Sequence, residues 1–254
     1  MLIETLVWAT STCIPAARKA GLVSEVAAIA GRHKRHKSLW GHHLTHTKSF
    51  IEKHLSLVDP NKPILILGSG LCLDIPLSAL NKHAAGVVLM DAVQPLATRI
   101  ACIGFANIQF CYADITGFLR PFWNSKEGAK ITPPPIAPIN LNHYGMVISC
   151  NLLSQLPLSF AHSPPTDETE RRLTASIQLA HMKALTSLSC PALLITDYER
   201  LESEAGSTNN IPTISPRLVP REPEETWQWH IAPKGDIRPG LDIKLNVGGW
   251  LLSS

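Results

Sequence analysis

The sequence predicts an α/β fold: a mainly parallel sheet, an antiparallel hairpin at its C-terminal end and a helical cap at its N-terminal end. Three observations support this. Short apolar runs alternate with stretches long enough for helices, a glycine-containing turn follows the first of these runs, and the C-terminal segment changes to strict polar–apolar alternation. Continuous apolar runs are typical of strands that helices cover on both faces, as in parallel sheets.

The first unit, residues 1–57, is expected to be a helical cap on a sheet domain of residues 58–254. Its apolar residues recur at helical spacing, and Gly31 and Gly41 are the points where the helix is expected to break or bend. Residues 18–53 contain eight Lys or Arg against two Glu, so the cap is locally basic.

Strand and helix then alternate along the chain. The proline-rich segment 131–140 can be neither a regular helix nor an inner strand, so we expect a surface loop between the third and fourth strands. The predicted strands are 64–67, 87–90, 108–112, 146–149 and 192–196, and the clearest helices are 75–83 and 169–188.

The C-terminal segment has a period of two. Trp227, Trp229 and Ile231 alternate with polar residues, and the same pattern recurs over residues 241–247. The turn-rich sequence PKGDIRPG joins the two runs, which predicts an antiparallel hairpin.

A nucleotide-type turn follows the first strand. Gly68-Ser69-Gly70 comes directly after the apolar residues 64–67, and Asp91 ends the second strand about 20 residues further on, where a ribose hydroxyl is bound in such units. A dinucleotide fingerprint needs a third glycine, but Leu73 occupies that position. The chain also has no GxxxxGK[ST] phosphate loop. A third acid, Asp114, follows the third strand.

This combination resembles the class I S-adenosylmethionine-dependent methyltransferase superfamily over roughly residues 60–250. The resemblance implies a Rossmann-like methyltransferase fold, for which a closing hairpin is typical. It places the turn at 68–70 under the methionine part of the cofactor, Asp91 on the ribose hydroxyls and Asp114 on the adenine amino group. The segment 149–152 would line the methyl-transfer pocket. The expected cofactor contacts are Gly68, Ser69, Gly70, Asp91, Ala92, Asp114, Ile115 and Asn151.

The chain departs from the superfamily pattern at the third glycine of the loop, which is replaced by Leu71 or Cys72 depending on alignment. The stretches RHKRHKSLWGHHLTHTKSFI and LGSGLCLDIPL also look like a group of functionally undescribed bacterial methyltransferase-like proteins. That second likeness supports the fold and says nothing about the substrate.

Each acid also has a structural interpretation. Asp74 precedes Ile75-Pro76 and is most simply a helix N-cap, with proline in the first helical turn. Asp91 stands at a strand end, where acids are common, and Asp114 could equally cap a turn.

The histidine-rich segment is the other candidate for chemistry. His36, Trp40, His43, Thr47, Phe50 and His54 share one face of a helix if that helix continues through Gly41. One hypothesis is a lid over the pocket, with His43 or His36 as a general base and Trp40 against the substrate. The alternatives are a purely structural helix or a metal site at His42 and His46. No further ligand completes such a site, so we expect no metal.

The sequence excludes several classes of protein. It has no GxSxG or cysteine–histidine nucleophile signature. Members of the superfamily that methylate exocyclic amines of DNA or amide side chains often carry an Asn-Pro-Pro-Tyr-like motif after the fourth strand, and SCNLLSQLP takes that place here. No apolar run approaches the length of a membrane span, and six scattered cysteines without a CxxC pair indicate a reducing, cytoplasmic compartment. The formal net charge of +3 is too small to indicate nucleic-acid binding by itself.

The expected function is therefore methyl transfer from S-adenosylmethionine to a small molecule. Asn151, Trp40, Arg35 and Tyr198 are the expected substrate contacts, and the positive charge around Arg35 suggests an acidic group on that molecule. Two alternatives remain open. One is a non-catalytic relative that serves as an interaction scaffold. The other is a nucleic-acid methyltransferase that uses the basic N-terminal segment, for which the scarce aromatic residues are unfavourable.

Overall fold

A computed structural model describes residues 2–124, 133–134, 140–161, 164–218 and 222–252. The loop expected at 131–140 therefore lies largely outside the described residues. Within these ranges the helices are α1 (Leu2–Thr10), α2 (Pro15–Lys19), α3 (Leu22–Arg35), α4 (Lys37–His54), α5 (Leu77–Leu80), α6 (Leu96–Ala101), α7 (Leu119–Asn124) and α8 (Glu168–Thr186). The strands are β1 (Thr12–Cys13), β2 (Ile64–Leu67), β3 (Val87–Asp91), β4 (Val93–Gln94), β5 (Ile108–Tyr112), β6 (Met146–Cys150), β7 (Ala192–Glu204), β8 (Ser207–Pro212), β9 (Glu225–Ala232) and β10 (Asp242–Leu252).

The central sheet confirms the predicted fold class. Its strand order is β5-β3-β2-β6-β7-β10-β9, and the pairs from β5 to β7 are all parallel. Strand β10 inserts antiparallel between β7 and β9, so the C-terminal hairpin closes the sheet. A mainly parallel sheet with a closing antiparallel hairpin is the Rossmann-like methyltransferase arrangement that the motifs predict.

The parallel strands form because their residues are apolar on both faces. Every residue of β2 and β6 is buried. Alternate side chains enter two separate cores: Ile64 and Ile66 pack on one face of the sheet, and Leu65 and Leu67 on the other. Such strands are stable only under helices on both faces, which fixes their carboxyl ends as the exposed edge where loops meet.

Strand β7 is longer than the sequence indicates. The prediction ended at residue 196, but the strand continues to Glu204 and pairs there with β8, which the sequence analysis missed. Ala205 and Gly206 form the turn with φ angles of +49° and +85°. Two successive positive φ values are what a tight hairpin turn of the I′ type requires. The segment STNNIP lacks the apolar alternation from which strands are recognised.

Two helix predictions need correction. The helix expected over 75–83 covers only Leu77–Leu80, because Pro76 has φ −81° and ψ 68°, outside the helical region. The N-terminal helical segment breaks at residues 11–14, at residues 20–21 and at His36, which has φ −123° and ψ 30°. It does not break at Gly31 or Gly41, which lie inside α3 and α4. The helix expected over 169–188 is present as α8.

The N-terminal helices share their core with the sheet. Trp40, Phe50 and Ile51 of α4 belong to the same buried cluster as the apolar residues of β2, β6, β9 and β10. Gly249 of β10 permits this close approach, since a Cβ atom there would lie 2.9 Å from the Phe50 ring. Strand β1 pairs with β4, and the Ile14 amide donates to the Ala92 carbonyl at 3.1 Å.

Candidate functional site

One cavity of about 430 Å³ lies at the carboxyl edge of the parallel strands. The loops that follow β2, β3, β5 and β6 and the strand β7 each contribute to its wall, and residues of α3, α4, β9 and β10 cover it. This is the place where open α/β sheets bind their ligands. The fold therefore gathers the sequence-predicted glycine turn and acids around one enclosed space.

The glycine turn at 68–70 needs glycine at its first position. Gly68 has φ +80°, and a Cβ atom there would lie 3.0 Å from both the Cys150 carbonyl oxygen and Leu152 Cβ. Gly70 has φ +42°. Ser69 is buried and its hydroxyl accepts from Gln94 Nε2 at 3.0 Å, while Thr98 Oγ1 donates to the Gly70 carbonyl at 2.8 Å. Two distant side chains thus fix the shape of the turn.

Cys72, one of the two residues that replace the third glycine, has a backbone conformation that glycine adopts more readily than other residues. Its φ is +51°, in the left-handed region that disfavours residues with a Cβ atom. Its side chain is buried, and burial raises the pKa of the thiol well above its usual range. The loop therefore departs from the glycine pattern in sequence but not in backbone shape.

Asp91 is bonded directly to the glycine turn. Its Oδ2 accepts from the Gly70 amide at 2.8 Å, and its Oδ1 accepts from the Val93 amide at 3.1 Å. Burial raises the pKa of this carboxyl, and these backbone hydrogen bonds oppose that effect. Each oxygen retains a lone pair for a ligand hydroxyl. Ala92, also expected at the cofactor, lines the same cavity.

Asp114 lines the cavity and also closes its own turn. Its Oδ1 accepts from the Thr116 amide and hydroxyl at 2.9 and 2.6 Å, and its Oδ2 accepts from the Leu119 amide at 2.7 Å. Both interpretations of this acid thus have geometric support. Ile115 is buried and lies on the cavity wall.

Asp74 is not a helix cap. Helix α5 begins after Pro76 with no side-chain cap, and the Asp74 carboxylate instead accepts from Asn151 Nδ2 at 2.6 Å and from the Cys150 thiol at 3.6 Å. Burial raises the pKa of Asp74, and the Asn151 hydrogen bond only partly opposes this. Asn151, expected at both cofactor and substrate, lines the cavity with φ +47° at the end of β6. The structure thus places an additional acid in the cavity wall.

His43 lines the cavity but is poorly suited to act as a base. Trp227 Nε1 donates to His43 Nδ1 at 3.0 Å, so the neutral ring carries its proton on Nε2, which lies 3.3 Å from Asn151 Nδ2. The ring stacks on Trp229 at 4.1 Å. Burial, followed by the charges of His42 and His46, lowers the pKa of His43 to about 3. The His43 ring therefore has no free acceptor nitrogen with which to take up a proton. Its role is to hold Trp227 and Trp229 in position.

His36 and Arg35 lie away from the cavity, which corrects the expectation that they act on substrate. His36 Nε2 is 2.7 Å from Asp236 Oδ1, and Arg35 pairs with the same carboxylate at 2.8 Å. Arg32 completes this cluster at 3.0 Å, and the Asp236 side chain is only 2% exposed. The positive charge that suggested an acidic substrate is thus paired with a residue of the β9–β10 loop.

Trp40 and Tyr198, the other expected substrate contacts, offer little surface. Trp40 is 1% exposed, donates to the Ile231 carbonyl at 3.2 Å and packs edge-on against Trp229. Tyr198 packs against Trp250 and is not part of the cavity wall. Its neighbour Asp197 lines the cavity instead, because successive residues of a strand face opposite sides.

Three residues of this region were missed from the sequence: Asp197, Trp229 and Asp236. The alternation in TWQWHIA could have placed Trp229 on the inward face with Trp227. Nothing local could have identified the partners of Asp236, which are about 200 residues away along the chain.

Two further observations concern metals and membranes. The described ranges contain no group of three or more histidine, cysteine or acidic side chains placed to hold a metal ion. His42 and His46 lie with ring centroids 4.2 Å apart, and His46 Nδ1 contacts the His42 carbonyl. None of the helices in the described part of the chain combines the length and apolar character needed to cross a bilayer.

No protein-family model matches this chain, and no curated protein matches its sequence significantly. Solved structures do match it. The 1,6-didemethyltoxoflavin-N1-methyltransferase of Burkholderia thailandensis, with 1,6-didemethyltoxoflavin and S-adenosylhomocysteine bound, is 10% identical, with a TM-score of 0.40, over 83% of this chain and 78% of that one. The DhpI-SAM-HEP complex is 13% identical, with a TM-score of 0.37, over 92% and 99%. The glycopeptide N-methyltransferase MtfA complexed with S-adenosyl-L-methionine is 14% identical, with a TM-score of 0.32, over 78% and 75%.

These likenesses are low in identity and in TM-score. The fold assignment therefore rests on the strand order and register of the sheet. That strand order is the Rossmann-like arrangement that the motifs predict.

Proposed function

We propose that this chain is an S-adenosylmethionine-dependent methyltransferase that acts on a small molecule. The observation that carries the proposal is the hydrogen bond from the Gly70 amide to the Asp91 carboxylate, at the carboxyl ends of the adjacent parallel strands β2 and β3. It joins the turn that would lie under the methionine part of the cofactor to the acid that would hold the ribose. Both face the same cavity of about 430 Å³.

The residues around the cavity fit this cofactor better than a phosphate-bearing one. Two arginines line the cavity, and both have acidic partners: Arg32 with Asp236 and Arg200 with Glu202. Acidic side chains outnumber these arginines in the wall. A pyrophosphate would be repelled here, whereas S-adenosylmethionine carries a sulfonium and an ammonium and no phosphate.

S-adenosylmethionine would supply an already activated methyl group, so the protein needs no nucleophile of its own. What this chain contributes is alignment and exclusion of water. The turn at 68–70 is rigid because Gln94 and Thr98 hydrogen-bond to it, and helices α3 and α4 help to cover the cavity. These are the features that transfer between two bound molecules requires.

For the two ends of the cavity we use names that follow from this proposal. The adenosine end is lined by Asp91 and Asp114, after β3 and β5. The acceptor end is lined by Asp74 and Asn151, which follow β2 and β6, and by Asp197, which lies within β7. The six cysteines are all free, which agrees with the expected cytoplasmic setting.

Calorimetric titration with S-adenosylmethionine and S-adenosylhomocysteine tests the proposal. We expect binding by the wild-type protein and a loss of affinity of at least about a hundredfold in Asp91→Ala, because a charge-assisted contact and the support of the Gly70 turn disappear together. Glu52→Gln, which removes an exposed carboxylate of α4, is the matched control and should bind like wild type.

Circular dichroism and thermal unfolding would show that Asp91→Ala retains its fold. Absence of heat from the wild-type protein at high micromolar cofactor would refute the enzyme and leave the scaffold interpretation. Unchanged affinity in Asp91→Ala would refute the ribose role of this residue. A salt-dependent affinity for nucleic acid would instead favour the basic-segment alternative.

A further inference from the structure

The cavity wall carries more negative than positive charge. Five acidic side chains line it against two arginines, an excess of three negative charges. Neither arginine forms an ion pair with an acid of the wall, because Arg32 pairs with Asp236 and Arg200 with Glu202, and both of these acids lie outside the wall. An enclosed space with such a wall attracts cations and repels anions.

The uncompensated acids of the acceptor end are Asp74 and Asp197. Asp74 is bonded to an amide and a thiol, and the 4% exposed Asp197 accepts from the Ser154 hydroxyl at 2.6 Å. Neither forms an ion pair with any residue in the described ranges. Lys48 and Arg200 are the positive charges that act on them, and both do so from beyond contact distance.

Three buried polar atoms on residues of this cavity wall lack a partner among the residues that the structure describes: Asn151 Oδ1, Trp229 Nε1 and Arg200 Nε. Asn151 Oδ1 is an acceptor without a donor, and Trp229 Nε1 is a donor without an acceptor on a side chain that is 5% exposed. Buried polar groups are nearly always satisfied, so each points to a ligand atom. A ligand with N–H groups would satisfy Asn151, and an oxygen of the same ligand would satisfy Trp229.

We propose that the acceptor end of the cavity binds a cationic amine, with Asp74 and Asp197 as the charge partners, Asn151 as an acceptor for its N–H groups and Trp229 as a donor to a ligand oxygen. The name of this end rests on the proposed function, but the charge preference follows from the wall alone. The inference replaces the acidic substrate that the sequence suggested with one of opposite charge.

Three probes of nearly the same shape test the charge preference. Tyramine is a cation, tyrosol is its neutral alcohol counterpart and phloretic acid is an anion of similar length; all three carry a phenol oxygen for Trp229. Calorimetry with the wild-type protein, both alone and saturated with S-adenosylhomocysteine, should show tyramine binding at least about tenfold more tightly than tyrosol, and phloretate most weakly. Equal affinities, or a preference for phloretate, would overturn the proposal.

Asp74→Asn and Asp197→Asn assign the preference to these residues. Each variant keeps the shape of the side chain and removes its charge, so tyramine should lose about tenfold in affinity while tyrosol is unaffected. Glu52→Gln removes the same charge from an exposed position of α4 and should leave all three affinities unchanged. An undiminished preference for tyramine in both aspartate variants would refute the assignment.

The readouts separate this inference from the proposed function. Binding of S-adenosylhomocysteine without a preference for tyramine would refute the amine site and keep the methyltransferase. A preference for tyramine without cofactor binding would refute the methyltransferase and keep the amine site. If an aspartate variant fails to fold, the three-probe comparison on the wild-type protein still decides the proposal.

Discussion

Asp74 and Asp236 are both shielded from solvent near the same cavity, and their surroundings are opposite. Asp74 lines the cavity and contacts an uncharged amide and a thiol. Asp236 lies next to the cavity-lining Ile237 and contacts Arg32, Arg35 and His36. The pairing of Asp236 serves the architecture, since it ties the β9–β10 loop to the junction of α3 and α4. The isolation of Asp74 leaves its charge available to a ligand.

The pKa values follow this difference. Burial alone would raise the pKa of Asp236, but hydrogen bonds from His36, Arg35 and Arg32 outweigh burial and lower the pKa to about 2. Burial raises the pKa of Asp74, and the Asn151 hydrogen bond does not compensate. Asp236 therefore stabilises the fold above the ordinary aspartate pKa and loses this effect as the pH falls towards 2. Asp74 favours the fold when protonated and loses that effect as the pH rises through its raised pKa.

The strongest test of this comparison is Asp236→Asn. The variant should lower the free energy of unfolding at pH 7 by about 2 kcal/mol or somewhat less, because Arg35 is half exposed and screened. Urea unfolding between pH 7 and pH 3 should show the difference from wild type shrinking towards the acid end. The control is Glu204→Gln, which removes the exposed partner of Arg238 and should cost well under about 1 kcal/mol. A loss that does not depend on pH would contradict the ionic role of Asp236.

Asp74→Asn should have a smaller effect of opposite sign. Removing a buried, uncompensated charge is expected to raise the free energy of unfolding at pH 7 by about 1 kcal/mol. The same urea series should show this gain diminishing as the pH falls through the raised pKa of Asp74, because the wild-type carboxyl then takes up its proton. Destabilisation at pH 7 would show that Asp74 is a structural acid like Asp236, and the comparison would fail.

The smallest change in stability is expected for Cys72→Gly. Substitution of this residue tests whether the backbone of the turn next to Asp74 is strained. Cys72→Gly relieves the positive φ but loses a buried side chain, so the two terms nearly cancel. Cys72→Ala loses the thiol and keeps the strain, and should be less stable than the glycine variant by about 1 kcal/mol in thermal unfolding. Equal stability of the two variants would show that the backbone at this position is not strained.

The surroundings of Asp91 and Asp114 were predictable from the sequence, and the surroundings of Asp74 and Asp197 were not. The acids Asp91 and Asp114 follow apolar strands directly, and their partners are backbone amides of their own or the adjacent loop, so strand pattern and glycine position suffice. The partners of His43, Asp74 and Asp236 come from 77 to about 200 residues away along the chain. Local patterns contain no information about such contacts.

The same distinction explains which secondary structure was recovered. Strands β2, β3, β5 and β6 are short and mostly apolar, and the predicted ranges match them within one residue. The second half of β7 and all of β8 are polar and partly exposed, and they are strands only because they pair with each other across the Ala205-Gly206 turn. Pairing between two polar segments depends on tertiary structure, and hydrophobic periodicity in the sequence does not reveal it.

The short pairing of β1 with β4 joins the N-terminal segment to the residues that follow Asp91. Since Ile14 donates to Ala92, the backbone next to Asp91 and the backbone of residues 12–14 form one hydrogen-bonded ribbon. Opening of residues 12–14 exposes the Ile14 amide to solvent exchange and at the same time frees the chain after Asp91. By thermodynamic linkage, we expect a ligand held by Asp91 to slow deuterium uptake at Ile14, although this amide is not part of the cavity wall. Hydrogen exchange in the N-terminal segment would then report occupancy of the cavity from a distance.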